Sequence, residues 1–429
     1  MIMNTYTVTD FGVVPGLSTP QTEKFQQLID RCKAEGGGKI VFPAGSYVSG
    51  TLVLCSHLTL EFELNAVLYG SCEEKDYPLY DPAPIPFYEG RQGIRALLFA
   101  LNETDITLQG DGMLDGRRAL YPEHDVKVHR MAPRVIWFGN CENISVSGLT
   151  MQNSVFWMQH YLKCRHVRLH DLVVRTHGCL NNDGIDIDSC DDVEIWNCRV
   201  DSGDDGICLK TGTDTSCSNV YVHDCIISSH CAAFKLGTES NAGYTKVLAE
   251  RLLIVPSESL STIPGEDYRC ASALGLSAVD GAFVDDVTIR DVKVYGARTP
   301  LYVRWGNRKR GCLGEPGGGG EPTWFRNVLL ENVQFCNGGT RGSYICGMEN
   351  HDMENITLRN CSFEINGTVE PHWKDRIVPE EGHAFPNAST FGTEPFPALL
   401  FVRHVKGFKL ENVKFKKHPD DVREDCIYI

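Results

Sequence analysis

A chain of 429 residues with 56 acidic against 41 basic side chains carries a net charge of −15, which argues against nucleic acid or an anionic membrane surface as partner. Its 41 glycines and 20 prolines are spread without a low-complexity linker, and no apolar run reaches the roughly 18 residues a membrane span needs. The N-terminus has neither a basic head with a long apolar stretch nor a cleavage site, so a cytoplasmic location is expected.

In chain order, Asp10-Phe11-Gly12 opens the fold. Thr19 before Pro20 predicts a helix start, with Pro20 as first helical residue. Phe25, Leu28, Ile29 and Cys32 follow at helical spacing until Gly36-Gly37-Gly38 stops the run. Short strands are expected over Val41–Tyr47, Leu52–Leu54 and Leu58–Phe62.

From residue 104 a repeat becomes explicit. Its apolar anchors are Ile106, Ile144, Val167, Val193, Val220, Val247, Val287, Val328, Ile356 and Phe408. A turn-forming residue, usually Asn or Asp, precedes most anchors, and another stands four positions after nearly every one. Spacings of 23, 26, 27 and 27 from Ile144 to Val247 suit one coil of three short strands. Of eighteen cysteines, Cys141, Cys164, Cys190 and Cys217 each lie three residues before an anchor, and Cys198, Cys225 and Cys361 five after. With no Cys-x-x-Cys present, they read as reduced, buried side chains stacked inside the coils. The expected architecture is all-β: a right-handed parallel β-helix with a short N-terminal helix plugging one end. Residues 1–60 form the cap and first coils, 104–300 the regular coils, and 301–429 C-terminal coils with loop inserts. The inserts, Gly311–Pro322 and Glu370–Pro397, are candidate lids or plain surface loops.

Within the repeat, Asn181-Asn182-Asp183-Gly184-Ile185 is echoed by Gly203-Asp204-Asp205-Gly206-Ile207, so Asp183 and Asp205 are 22 residues apart. One coil apart, they sit about 4.8 Å from each other with Asp204 beside them. Crowded carboxylates cannot all ionise freely, which is what a general acid and base require. The alternative is a solvated acidic turn ladder. A turn must break the strand alternation at Asp183 and at Asp205, which would otherwise point inward with Ile185 and Ile207.

With repeat and aspartates in hand, the sequence resembles glycoside hydrolase family 28, the polygalacturonase family. Asp10-Phe11-Gly12, Gly36 to Gly45 and Leu114-Asp115-Gly116 look like its N-terminal coils. Asn153-Ser154-Val155-Phe156-Trp157 is similar to its Asn-Ser-Pro-Phe-Trp segment, Asn181-Asn182-Asp183 to its Asn-Thr-Asp, and Gly203-Asp204-Asp205 to its Gly-Asp-Asp. The resemblance implies inverting hydrolysis of a glycosidic bond, with Asp204 as general acid and Asp183 and Asp205 activating water. A carboxyl separation of roughly 6.5–9.5 Å would go with inversion. Two departures stand out. Alignment of Thr238 and Glu239 with Gly-Ser-Glu puts Cys231 at the family's histidine position and His230 one residue early. The Arg-Ile-Lys triplet that faces the galacturonate carboxylate is absent, since Ser272 to Ser277 contains no basic residue.

Extending the overlay by a coil places Lys235 over Cys208 and Asp186, and Lys210 in the column of Asp188. Each lysine either neutralises acid in the ladder or binds substrate. His230 is expected to orient the acid or to be an ordinary corner residue. Asn181, Asp186 and Glu239 accompany these motifs as further substrate contacts. Trp157 and His160, one coil earlier, are candidates for a neighbouring subsite. In Tyr302-Val303-Arg304-Trp305, Arg304 could grip a carboxylate and Trp305 or Tyr302 stack on a sugar. His124 and His129 have no partner at metal-ligand spacing, so neither metal nor cofactor is expected. The expected substrate is a pectic oligosaccharide or small glycoside, attacked from its end. Alternatives are a lyase or epimerase of uronic acid sugars, which would want a basic catalytic residue, and a non-catalytic carbohydrate-binding β-helix.

Overall fold

The computed structural model describes residues 4–82, 85, 93–118, 132–259 and 268–429, which leaves His124 and His129 outside the described residues. It is a right-handed parallel β-helix of three long sheets, with 14, 12 and 12 strands among the described residues. One sheet, the ladder sheet, runs from Thr5–Thr7 to Val405–Lys406 and holds the repeat anchors. A second, the site sheet, runs from Leu52–Val53 to Glu424–Tyr428, and the third from Gly45–Ser49 to Lys414–Lys416.

The anchors pair in register from Ile106 through Ile144, Val167, Val193, Val220, Val247, Val287 and Val328 to Ile356. Each is at most 2% exposed, and together they form one wall of the core that fills the coil interior. The residue before each anchor has a positive φ, from 52° at Asn219 to 58° at Asn143 for the Asn and Asp members. Asp171, Asn197, Asp224, Asp291, Asn332, Asn360 and Asn412, four after an anchor, are left-handed as well. Asn and Asp tolerate this geometry, and their side chains link coil to coil, as Asn332 Nδ2 does to Asp291 Oδ1 at 2.8 Å. Cys141, Cys164, Cys190 and Cys217 are buried in successive coils, with the Cys164 amide donating to Cys190 Sγ at 3.3 Å.

The helix covers Thr22–Ala34 and buries Phe25, Leu28, Ile29 and Cys32 over the first coil. It starts at Thr22 rather than Pro20. Gln21 donates its backbone amide to the Val48 carbonyl, and its side-chain amide pairs with both backbone groups of Val14, so residues up to 21 are held outside the helix.

Candidate functional site

Outward-facing residues of the site sheet form one column in register: Phe99, Trp137, His160, Asp186, Cys208, Lys235, Gly275, Tyr302, Tyr344 and Phe401. Lys235 therefore lies over Cys208 and Asp186, and Lys210 pairs with Asp188, as the overlay predicts.

The aspartates come from the turns that lead into this sheet. Strands begin at Ile185 and Ile207, each preceded by a glycine. A Cβ on Gly184 would lie 2.5 Å from Val200 Cγ1 and 2.6 Å from the Gly206 carbonyl oxygen, and one on Gly206 would lie 2.5 Å from the Ala233 carbonyl oxygen. Glycine lets each coil pass this close to the next at the corner. The turn breaks the alternation, so Asp183 and Asp205 face a cavity while Ile185 and Ile207 enter the core. Their coils are stacked directly, the Gly184 amide donating to the Asp205 carbonyl at 2.9 Å.

The cavity has a larger lobe of ≈ 290 Å³ lined by Asp183, Asp204, Asp205, Lys210, Lys235 and Glu239. Trp157, Asn181, Arg310, Phe385 and Asn387 also line it. A smaller lobe of ≈ 170 Å³ shares Asp204, Cys231 and Asn387 with it and adds His230, Tyr268 and Tyr302. Asp204 thus stands between the lobes, whereas Asp183 and Asp205 line only the larger one.

Asp205 pairs with Lys235 Nζ at 2.7 Å. Asp183 Oδ2 is 3.4 Å from Lys210 Nζ, while its Oδ1, buried, has no partner among the described residues. Lys210 also reaches Asp186 at 3.3 Å and Glu239 at 3.4 Å, and stands 4.4 Å over the Trp157 ring. Glu239 is paired in turn with Arg310. Asp204 accepts the Asn181 amide at 3.2 Å, the Asn181 side-chain amide at 3.1 Å and the Asp205 amide at 2.9 Å. One oxygen of Asp204, one of Asp205 and Cys231 Sγ lie within 4.8 Å of one another, so Asp204 and Asp205 approach more closely than the roughly 6.5–9.5 Å expected for inversion.

Burial sets the titration of these groups. It raises Asp183 well above the carboxylate range, helped by Asp186 and Asp204, with Lys210 opposing. Burial also pushes Asp186 up to about 7. Asp204 is raised by loss of water and then by the charge of Asp205. For Lys210 and Lys235 burial opposes the charge, but the anionic groups around Lys210 and the Asp205 carboxylate at Lys235 outweigh it and hold both protonated. Glu239 is held ionised against burial by Lys210, Arg310 and Arg308.

Several expected contacts lie elsewhere. Arg304 is fully buried outside the lobes, its guanidinium donating to the Gly347 and Glu381 carbonyls, so it has no free face for a substrate carboxylate. Trp305 alternates with it and points into the core, 3% exposed. His160 is buried beneath Trp157, 3.4 Å from Asp188 Oδ2, and burial drops it to about 4. Asp186 lies below the cavity floor as a partner of Lys210. Tyr302 does reach the smaller lobe. His230 reaches it too, but bonds the Ser259 carbonyl at 2.9 Å rather than the acid. Missing from the sequence reading were Phe156, Thr238, Arg310 and the stretch from Phe385 to Ser389. Phe156 and Thr238 adjoin residues already singled out. The insert 370–397, flagged as a candidate lid, supplies the Phe385–Ser389 wall, though nothing in its local pattern marks those residues.

A scan against family models matches residues 32–230 to "Glycosyl hydrolases family 28". A probable polygalacturonase of Vitis vinifera is 29% identical over 317 residues, 70% of this chain and 62% of that protein. An exo-poly-α-D-galacturonosidase of Dickeya chrysanthemi is 22% identical over 58% of this chain and 50% of its own length. The chain thus spans less than two thirds of these two relatives. In structure it superposes on a hyperthermoactive exopolygalacturonase from Thermotoga maritima with a TM-score of 0.73, covering 96% of this chain and 92% of that one at 18% identity, a likeness of fold.

Proposed function

The chain is a β-helical relative of the family 28 glycosyl hydrolases, and from that premise we propose that it is a glycosidase of pectic oligosaccharides or related glycosides, working by inversion from the chain end. The observation that carries this reading is the place of Asp204 between two lobes, with Asp183 and Asp205 confined to one. Water must attack the anomeric carbon from the face opposite the leaving oxygen, so the attacked sugar belongs between the water and the acid. The larger lobe then takes that sugar and the smaller one the leaving group. Asp204, its carboxyl raised by burial and by Asp205, protonates the leaving oxygen. Asp205, paired with Lys235, activates the water, and Asp183, kept protonated by burial, helps to hold it.

A lyase that used a lysine as its base would need that lysine neutral, and both lysines in the cavity are kept protonated by their carboxylates. End-wise action is supported by the segment at Phe385–Ser389, which walls the cleft into a pocket. The Dickeya and Thermotoga proteins named above are exo-acting by their descriptions.

The test is a screen of nitrophenyl glycosides and pectic oligosaccharides with wild type and Asp204→Asn, the product anomer being read by proton NMR. Turnover lost in Asp204→Asn with an inverted product agrees with the proposal. Equal turnover in the variant removes Asp204 from the mechanism, and a retained anomer removes the single displacement.

A further inference from the structure

We propose that the smaller lobe selects an uncharged leaving group, so that the scissile bond joins the attacked sugar to a neutral sugar or aglycone rather than to a uronate. This rests on the hydrolase reading, which makes that lobe the leaving-group side. Leu180, Ala271 and Ala388 supply apolar walls there, and Tyr268 and Tyr302 aromatic ones. The remaining polar lining is neutral: Ser272, Ser389 and Asn387 offer hydroxyl and amide groups. No lysine or arginine lines this lobe among the described residues. Arg298 and Arg341 stand outside the lining, the first 5.0 Å over the Tyr268 ring and the second donating to Ser389 Oγ at 3.0 Å.

His230 sharpens the case. Its Nε2 lies 2.9 Å from the Ser259 carbonyl, which can only accept, and 3.1 Å from Ser259 Oγ, an arrangement that favours the proton on Nε2. In the neutral ring that burial favours, Nδ1 is then an acceptor, and it is buried without a partner among the described residues. His230 thus adds a neutral ring, not a cation, to the lining. Tyr302 bears on the same point. A Cβ at Gly275 would lie 2.4–2.5 Å from its ring atoms, so glycine lets the ring pack onto the preceding strand, in a stretch that carries no cation. The cations of the larger lobe are already committed, Lys235 to Asp205, Lys210 to three carboxylates and Arg310 to Glu239. A uronate in the smaller lobe would lose its water beside Asp204 and meet no cation on the described lining.

The experiment keeps the glycone found by the nitrophenyl screen and varies only the leaving group, comparing a 3-carboxy-4-nitrophenyl glycoside with its methyl ester. The ester should show a kcat/KM at least tenfold higher. Ala388→Lys or Ser272→Arg, each placing a cation in the lobe, should narrow or reverse the ratio. Equal or faster turnover of the carboxylate by wild type overturns the proposal while leaving the hydrolase reading intact. If no glycoside is turned over, the hydrolase reading fails. Calorimetric binding of 5-hydroxy-2-nitrobenzoate and its methyl ester, the leaving groups without a glycone, then decides the lobe: tighter binding of the ester upholds its neutrality, and equal or tighter binding of the carboxylate overturns it.

Discussion

Two columns of charged side chains run along this β-helix, and they behave in opposite ways. On the outer face of the ladder sheet, Glu250, Arg290, Glu331, Arg359 and Glu411 alternate in sign across successive coils. Arg290 meets Glu250 at 2.5 Å, and Arg359 meets Glu331 at 3.1 Å and Glu411 at 2.6 Å. Arg290 and Arg359 are held charged, Arg359 raised by hydrogen bonds to Glu411 and Glu331, and Glu411 is lowered by that from Arg359. On the site sheet, His160, Asp186, Cys208 and Lys235 stack with the same geometry but are buried. There His160 falls to about 4 and Asp186 rises to about 7, both chiefly through burial. The same parallel register yields, on one face, a ladder largely open to solvent apart from Glu250 and, on the other, a column of groups whose protonation burial displaces. Access of water decides which.

The largest effect should follow from removing the acid of the buried set. Asp204→Asn is expected to lower kcat by about 10²–10⁴-fold without lowering the melting temperature. A melting temperature that falls with the activity would recast Asp204 as a structural corner.

Next comes the centre of the buried charge network. Lys210→Met leaves Asp183, Asp186 and Glu239 without their common cation and should cost about 3–5 kcal/mol in urea unfolding. A loss no larger than that of a surface pair would erase the contrast between the columns.

The pH dependence of stability should also separate them. Folded Asp186 keeps its proton up to about 7, whereas the unfolded carboxyl loses it near its ordinary value of about 4. The folded state then binds more protons in that window, so this group makes stability fall as pH rises from about 4 to 7. Asp186→Asn should flatten that part of the unfolding free energy profile. An unchanged slope would show that Asp186 is ionised throughout.

Smallest is the solvated ladder. Arg359→Ala should shift the melting temperature less than Lys210→Met does, and the difference from wild type should shrink in high salt. A salt-independent loss of similar size would mean that this ladder, too, is shielded from water.

Much of this was open to reading before any coordinates. The Asn and Asp residues beside each anchor announce left-handed corners, because few other side chains accept that backbone. The offset of Asp183 and Asp205, with the glycine after each, places two carboxylates in adjacent turns. Tyr302-Val303-Arg304-Trp305 misled, since an alternating strand shows which residues share a face but not what covers that face. Here the insert's backbone covers it, through the Glu381 carbonyl that Arg304 binds. The expected bond from His230 to the acid failed for a similar reason, its partner Ser259 coming from the next coil.

By itself the sequence determined the coil, its register and the meeting of three aspartates, because turn chemistry and apolar period act between neighbours along the chain or one repeat away. Only the tertiary structure decided how that corner is enclosed. Arg310, Phe385 and Asn387 arrive from far along the chain to shut out water, and exclusion of water is what converts a row of charges into a site.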